Sequence, residues 1–341
     1  MLKVKMTAAC LALAALVPAS ALAQEQVNWR MQALWDANTT PQRFEERFVE
    51  RVAELTDGNF RIQLFSGGQL VPAAEAFEAV REGAFELMKT FDGYEAGTEP
   101  AFYFTSTVPF GFETADQMSA WFYELGGNEM AREAYGKYGL HFIAPAVYGE
   151  EPIHSTFPVE SIADMEGRIG RFVGLAGQVM AAFDVNVTPL ATGEVYSALE
   201  RGVIELADRG DLTANLEAGL AEVADFIILP GVHQPVTATS YVANQEAWDA
   251  LPDTYKAALE VAAREISEAL RQHILVQDGI ALEKFEEAGV EVIRLDPEDI
   301  AAARQTAVEA WAAAAGDDAL ANRILESQMD FMRQLALLES E

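Results

Sequence analysis

The sequence predicts an α/β protein with a mostly parallel sheet, and three observations carry that reading. Strands rich in Val, Ile and Phe alternate with amphipathic helices near the start of the chain and again from Gly167 to Arg209. A helix–glycine–strand unit occurs twice without gaps, as EAFEAVREGAFELM (Glu75 to Met88) and EVYSALERGVIELA (Glu194 to Ala207). Long tracts with many alanines, which are strong helix formers, close the chain.

The 341 residues suffice for two domains, and half of them are apolar, so a sizeable core is expected. The first residues read as a secretory signal peptide over 1–23. Lys3 and Lys5 form the basic region, Met6 to Val17 the apolar region, and Ala21-Leu22-Ala23 the cleavage site. The expected location is therefore the periplasm. Cys10 lies inside that signal, so the processed chain has no cysteine and no disulfide, thiolate metal site or cysteine nucleophile. Removing the two lysines takes the net charge from −31 to −33. Such acidity argues against nucleic acid and anionic lipid as partners. It also gives weight to any arginine inside the fold, because an anionic ligand needs local positive charge.

Val27 to Ala33 reads as a strand, and Pro41 to Leu55 as a helix with Phe44, Phe48, Val52 and Leu55 on one face. After the turn Thr56-Asp57-Gly58-Asn59, the alternating Phe60 to Phe65 is a half-buried strand. A helix at about Ala73 to Arg81 and a strand at Ala84 to Thr90 follow. Glu95 to Phe112, rich in Gly, Pro and aromatics, reads as a packed connection. Thr114 to Leu125 and Asn128 to Tyr138 read as helices around Gly126-Gly127. Leu140 to Val147 reads as a strand.

Gly167 to Arg209 reads as strand–helix–strand–helix–strand, with Arg171, Asp208 and Arg209 at strand ends, where open α/β sheets bind ligands. Asp225 to Leu229 and Val236 to Ala243 are strands around the kinked loop Pro230 to Pro235. A helical tract from Pro252 to about Ala288, a strand at Val290 to Leu295, and helices at Pro297 to Ala314 and about Asp317 to Leu338 complete the chain. The repeated unit has two readings: convergence of any helix–glycine–strand element, or two similar lobes each placing one unit beside a ligand.

No dinucleotide, nucleotide-phosphate, zinc-protease or serine-elbow motif occurs. The histidines (His141, His154, His233, His273) have no metal-ligand spacing and read as packing or surface residues. A binding protein is preferred to an enzyme.

The landmarks TDGNFRIQLFSGGQLVPAAEAFEAVREGAFELM, TVPFGF, IADMEGRIGRFVGLAGQVM, TGEVYSALERGVIELAD and ANQEAWDALPDTYKAALEVAA stand in this order over most of the chain. In them the chain resembles the solute-binding proteins of tripartite ATP-independent periplasmic (TRAP) transporters. Within that family it is most similar to members that bind 2-oxo acids and related monocarboxylates. The resemblance implies a two-lobed, type II-like periplasmic binding fold with crossing strands and long C-terminal helices. One lobe would hold residues 24–147 with 233–285, the other 148–232 with 286–296, and residues 297–341 the last helices. Expected partners are a small organic acid and the two TRAP membrane subunits. A homodimer is also possible, by exchange of the C-terminal helices as in some relatives, although their pattern fits intramolecular packing equally well.

The resemblance places the carboxylate-binding arginine at Arg171, whose planar guanidinium suits a bidentate contact. It also implies a cation, Na⁺ or Ca²⁺, bridging to the ligand. Ungapped alignment puts its ligands at Glu150, Asp208, Arg209 (through the backbone carbonyl) and Gln234, mostly hard oxygen donors. Arg209 departs from the family pattern, which has Trp there. It would replace the cation or meet a second anionic group, so a dianion, sulfonate or aromatic acid is the alternative ligand class. Glu150 and Arg209 are thus candidates for the ligand as well. Tyr94, Phe172, Phe110 and Trp35 are candidate apolar walls, and Glu194 and Tyr196 candidate supports of the Arg171 region.

Overall fold

The computed structural model describes residues 26–188 and 190–339; the expected signal peptide lies outside them. The first sheet takes its strands from both ends of its sequence. β1 (Val27–Gln32), α1 (Thr40–Leu55), β2 (Phe60–Phe65), α2 (Ala76–Arg81) and β3 (Leu87–Thr90) form the opening units. α3 (Phe102–Ser106), α4 (Ala115–Glu124) and α5 (Gly127–Gly136) lead to β4 (Leu140–Tyr148).

The second sheet contains β5 (Ile153–Ser155), β6 (Ile169–Arg171), α6 (Gly174–Ala182), β7 (Asn186–Val187), α7 (Val195–Glu200), β8 (Leu206–Ala207), α8 (Leu212–Glu217) and β9 (Phe226–Leu229) with their helices. The chain then returns through β10 (Thr237–Asn244) and α9 (Gln245–Asp249). It ends with α10 (Asp253–Glu287), β11 (Glu291–Arg294), α11 (Pro297–Ala315) and α12 (Ala319–Gln334).

The strand orders are β2-β1-β3-β10-β4 and β11-β9-β5-β8-β6-β7. In the first sheet β1 pairs parallel with β2 and β3, whereas β10 is antiparallel to β3 and β4. The expected parallel core is present, with one return strand inserted. All eight residues of β10 are buried, as a central strand between two covered faces requires.

Two segments cross between the sheets: 149–152 from β4 to β5, and 230–236 from β9 to β10. α10 spans the same gap. Its Tyr255, Leu259 and Ile266 pack on the first sheet with Phe48 and Tyr241. Its Ala281 and Phe285 pack with Val195, Leu199 and Ile227 of the second. The division drawn after residue 285 therefore falls within the part of α10 that lies on the second sheet. The C-terminal helices dock on their own chain. Gln328 of α12 donates to the Phe104 carbonyl (2.7 Å), and the Trp311 indole of α11 to the Pro109 carbonyl (3.0 Å).

Three differences from the sequence reading have simple causes. Helix α3 interrupts the expected connection because Phe102 and Phe104 are fully buried, Phe102 against Tyr135 with ring centroids 4.5 Å apart. β3 starts at Leu87, later than Ala84, because the chain must first leave the left-handed turn at Gly83 (φ 74). β5, α8 and α9, three to six residues each, are too short to show a period. Both copies of the repeated unit fold alike: a 3-10 turn, a six-residue helix, a glycine in the left-handed region (Gly83, Gly202) and a strand.

Candidate functional site

The two copies of that unit end at the same cleft. β3 runs into the 3-10 turn Asp92–Tyr94, and β8 runs into Asp208. Arg171 ends β6, paired with Ala207 in parallel register, so Arg171 and Asp208 leave adjacent strand ends together.

Arg171 is 3 % exposed. Its Nε donates to the Leu190 carbonyl (3.1 Å), one terminal nitrogen to the Asp208 carbonyl (2.8 Å) and the other to Thr192 Oγ1 (3.3 Å). A guanidinium carries five N–H groups, so these contacts leave one on each terminal nitrogen, the pair a carboxylate takes bidentately. The Arg171 charge also lies 3.6 Å from Asp208 Oδ2.

Beside it lies a buried polar cluster. Gln234 donates through one amide nitrogen to Glu151 Oε2 (3.0 Å) and Asp208 Oδ1 (3.1 Å), and the Tyr148 hydroxyl donates to Glu151 Oε1 (2.8 Å). His233 Nε2 is 3.7 Å from Asp208 Oδ1. Burial and then the Asp208 charge push the Glu151 carboxyl well above its ordinary range. Burial alone would raise Asp208 too, but His233 and Arg171 outweigh it and hold that carboxyl low. Asp208 Oδ2 and Gln234 Oε1 are buried without a hydrogen-bond partner. Two orphaned hard oxygens beside a second carboxylate form a donor set that fits Na⁺ or Ca²⁺. Among the described residues no group of three Asp, Glu, His or Cys side chains is placed to hold a metal ion, so the donor set here rests on the Gln234 amide oxygen as well as on carboxylates.

Glu151, not Glu150, is the residue that joins Asp208 and Gln234. Glu150 points to the opposite side of the crossing segment, where its Oε2 accepts from the Gly231 N–H (2.7 Å). The Glu151 N–H donates to the Gln234 carbonyl (2.9 Å), clamping the two crossing segments together. Consecutive side chains of an extended segment point to opposite faces, so a one-residue alignment offset moves the choice from one glutamate to the other. The only sequence signal was the adjacency of two glutamates.

The other candidates divide. Tyr94 has an exposed ring whose hydroxyl reaches Thr192; burial of that end raises the phenol's pKa, and the nearby Arg171 opposes it. Arg209 is half-buried and donates to the Ala214 carbonyl (3.0 Å). Burial lowers its pKa, against the charges of Asp36, Glu151 and Asp211. Phe172 is a core residue, edge-on to His233 at 5.3 Å, and Phe110 packs against Phe183 at 5.5 Å. Both rings are buried, and Phe172 lies beside the polar cluster through His233, which faces Asp208. Trp35 is half-buried, and its carbonyl accepts from Gly67 (2.8 Å).

Tyr196 donates to Glu222 (2.9 Å), away from Arg171. Glu194 accepts from the Ala191 N–H (3.1 Å) and so fastens the turn that carries Leu190 and Thr192. Thr192, Tyr148 and the Leu190 carbonyl escaped the sequence reading because such contacts have no spacing signature. Besides Tyr94 and Thr192, further side chains join the lobes. Gln178 of α6 donates to the Tyr103 hydroxyl (2.5 Å), and Thr40 of α1 to Glu217 of α8 (3.4 Å).

Two α/β lobes, crossing strands, and an arginine buried where the lobes meet define the class of two-lobed solute receptors. Residues 32–317 match the bacterial extracellular solute-binding protein family 7 (DctP), and the chain belongs to that family. It is 30 % identical to a monocarboxylate 2-oxoacid-binding periplasmic protein of a Nostoc species, over 91 % of this chain and 85 % of that one.

Many crystal structures are similar, and two of them illustrate the likeness. A TRAP transporter solute-binding protein from Bordetella bronchiseptica has 28 % identity and a TM-score of 0.84, covering 92 % of this chain and 94 % of that one. It is described as a dimer with copurified calcium and picolinate in its active site. A TRAP periplasmic solute-binding protein from Pseudoalteromonas atlantica, with bound sodium and pyruvate, has 25 % identity and a TM-score of 0.83, covering 92 % and 95 %.

Proposed function

We propose that this protein is the periplasmic receptor of a TRAP transporter and binds a small 2-oxo or 2-hydroxy monocarboxylate between its lobes. The observation that carries this reading is Arg171, buried at the cleft with two N–H groups left over, beside orphaned oxygens of Asp208 and Gln234. Arg171 takes the ligand's carboxylate. Glu151, Asp208, Gln234 and the Arg209 carbonyl would hold the cation, with Glu151 in the role first given to Glu150. The cation supplies positive charge to the same carboxylate and lets Glu151 ionise. Tyr94, from the other lobe, closes over Thr192 and Arg171.

Binding stabilises the closed arrangement, which the membrane subunits then recognise, and the ligand is released unchanged. The processed chain reaches the periplasm through cleavage after Ala23. A homodimer is a second association, supported by the Bordetella relative.

A dianionic ligand is the second reading, favoured by Arg209 close to Asp36 and Glu151. Native mass spectrometry of the purified protein, followed by calorimetry with pyruvate, lactate and dicarboxylates before and after chelation, tests both. The first reading expects a monocarboxylate and a cation in the native mass, with affinity lost on chelation. Tighter binding of a dicarboxylate, unchanged by chelation, would sink it. Turnover of any of these acids would make the protein an enzyme.

A further inference from the structure

The 3-10 turn after β3, Asp92-Gly93-Tyr94, sends its three residues to three different places. Tyr94 reaches out to Thr192, which holds Arg171. Gly93 meets the other lobe with its backbone: a Cβ on Gly174, at the start of α6, would stand 3.4 Å from the Gly93 Cα. Neither position carries a side chain, so the lobes approach here main chain to main chain. A Cβ on Gly93 itself would collide with the Phe91 ring, which lies edge-on to Tyr94 with centroids 5.3 Å apart. Asp92 turns the other way, into the first lobe, and is fully buried.

That carboxylate is built into the interior. The Thr105 hydroxyl of α3 donates to Oδ2 (2.5 Å), and the Tyr135 hydroxyl of α5 donates to Oδ1 (2.6 Å). Both donors are fully buried. The Asp92 carbonyl accepts from the Glu95 N–H (3.0 Å), which closes the turn. Lys89, on the strand that leads into the turn, is buried too. Its ammonium lies 3.8 Å from Glu45 Oε1 and 3.4 Å from the centre of the Tyr241 ring. It has no hydrogen-bond partner, and its charge acts on Asp92 as well as on Glu45.

Two carboxylates and an ammonium are costly contents for the interior of a lobe, and an apolar set of similar volume would serve stability as well. What a buried carboxylate with a fixed donor on each oxygen adds is a single orientation. We propose that Asp92 is a positioning residue for the ligand. Tied to Thr105 and Tyr135, it sets the turn in the conformation that lays Tyr94 over Thr192 and Arg171 and brings Gly93 against Gly174. Asp92 acts through these neighbours and not by contact, because its carboxylate is engaged inside the lobe.

The proposal rests on the reading that an organic acid binds at Arg171, and the test separates the two. Asp92→Asn, Tyr135→Phe and Thr105→Val each weaken the anchor at nearly constant volume. Each is expected to lower organic-acid affinity at least about fivefold by calorimetry, the scale of one lost hydrogen bond to a charged group. In a Tyr94→Phe background the same changes are expected to cost less, since part of what the turn positions is already gone. In the ligand-free protein, hydrogen exchange of the Tyr94 and Glu95 amides, which donate to Phe91 and Asp92, is expected to speed up at least about tenfold.

A merely structural role would lower the melting temperature and leave affinity unchanged in all three variants. That result, with binding lost in Arg171→Met, overturns the proposal and keeps the reading. Losses that add in full to that of Tyr94→Phe also overturn it. Full affinity in Arg171→Met overturns the reading instead. If the wild type takes none of the acids, the exchange measurement decides: unchanged rates overturn the proposal, and faster ones support it. Should Asp92→Asn fail to fold, Tyr135→Phe and Thr105→Val carry the test.

Discussion

Arg171 donates to the backbone carbonyl of Asp208 at 2.8 Å and lies 3.6 Å from that residue's own carboxylate, so one arginine both anchors and charge-balances the neighbouring strand end. Removing it takes away the ligand's fork and leaves Asp208 buried beside Glu151. Arg171→Met is expected to lower organic-acid affinity at least about 100-fold by calorimetry, the scale of a lost bidentate charged contact. Arg171→Lys is expected not to rescue it, because an ammonium cannot reproduce two parallel donors. Near-wild-type affinity in the lysine variant would remove the bidentate role.

The two adjacent glutamates are expected to separate cleanly. Glu151→Gln removes a charge from the cluster with Asp208 and Gln234 and should cost at least about tenfold in cation-dependent affinity. Glu150→Gln keeps an oxygen acceptor for Gly231 and should change affinity less than about threefold. Titration with calcium and sodium after chelation checks both, and the reverse ranking would restore Glu150.

Gly231 is expected to be intolerant. A Cβ there would collide with the Glu151 carbonyl oxygen, where the two crossing segments touch. Gly231→Ala should destabilise the protein by about 3 kcal/mol or more and misplace Glu151. Gly279, inside α10 with open space at its Cβ position, should instead gain about 0.5–1 kcal/mol on replacement by Ala. Chemical denaturation of both variants gives the comparison.

Asp278 sets a pH dependence. Burial, and then the charge of Asp211, push its carboxyl from 3.8 up to about 7. Its folded value is raised, so between roughly pH 4 and 7 the folded state holds more protons than the unfolded one. Stability from this group is fully present at low pH and declines as pH rises to 7. Asp278→Asn, which keeps an acceptor for Thr213, is expected to raise stability at pH 8 by about 1–2 kcal/mol after discounting partial exposure, with the gain fading by about pH 4. Thermal melts across that range read the effect; an equal gain at both ends would exclude titration as its cause.

The fold was legible wherever an element is long enough to show a period. The residues of β2 were located without error, and α1, α10 and α11 lie within a few residues of their expected limits. Elements of three to six residues, such as β5 and α8, exist because their neighbours pair with or cover them, and no local pattern announces that. At the cleft, Arg171 and Asp208 stood out as charges at strand ends, whereas Phe110 and Phe172 are buried as deeply as any core ring. An aromatic side chain carries no sign of whether it faces a ligand or a core.

The two lobes were implied by a family resemblance. By itself the sequence determined the α/β class, the placement of Arg171 at a strand end and the acidic, cysteine-poor character of the chain. It could do so because these depend on periodicity and composition, which are local properties. Only the tertiary structure decided which of Glu150 and Glu151 meets Asp208 and Gln234. It also decided that Thr192 and Leu190 hold Arg171. Each of these turns on which way a side chain points once segments far apart in the chain are packed together. A shift of one residue reverses that direction while leaving the local pattern almost unchanged.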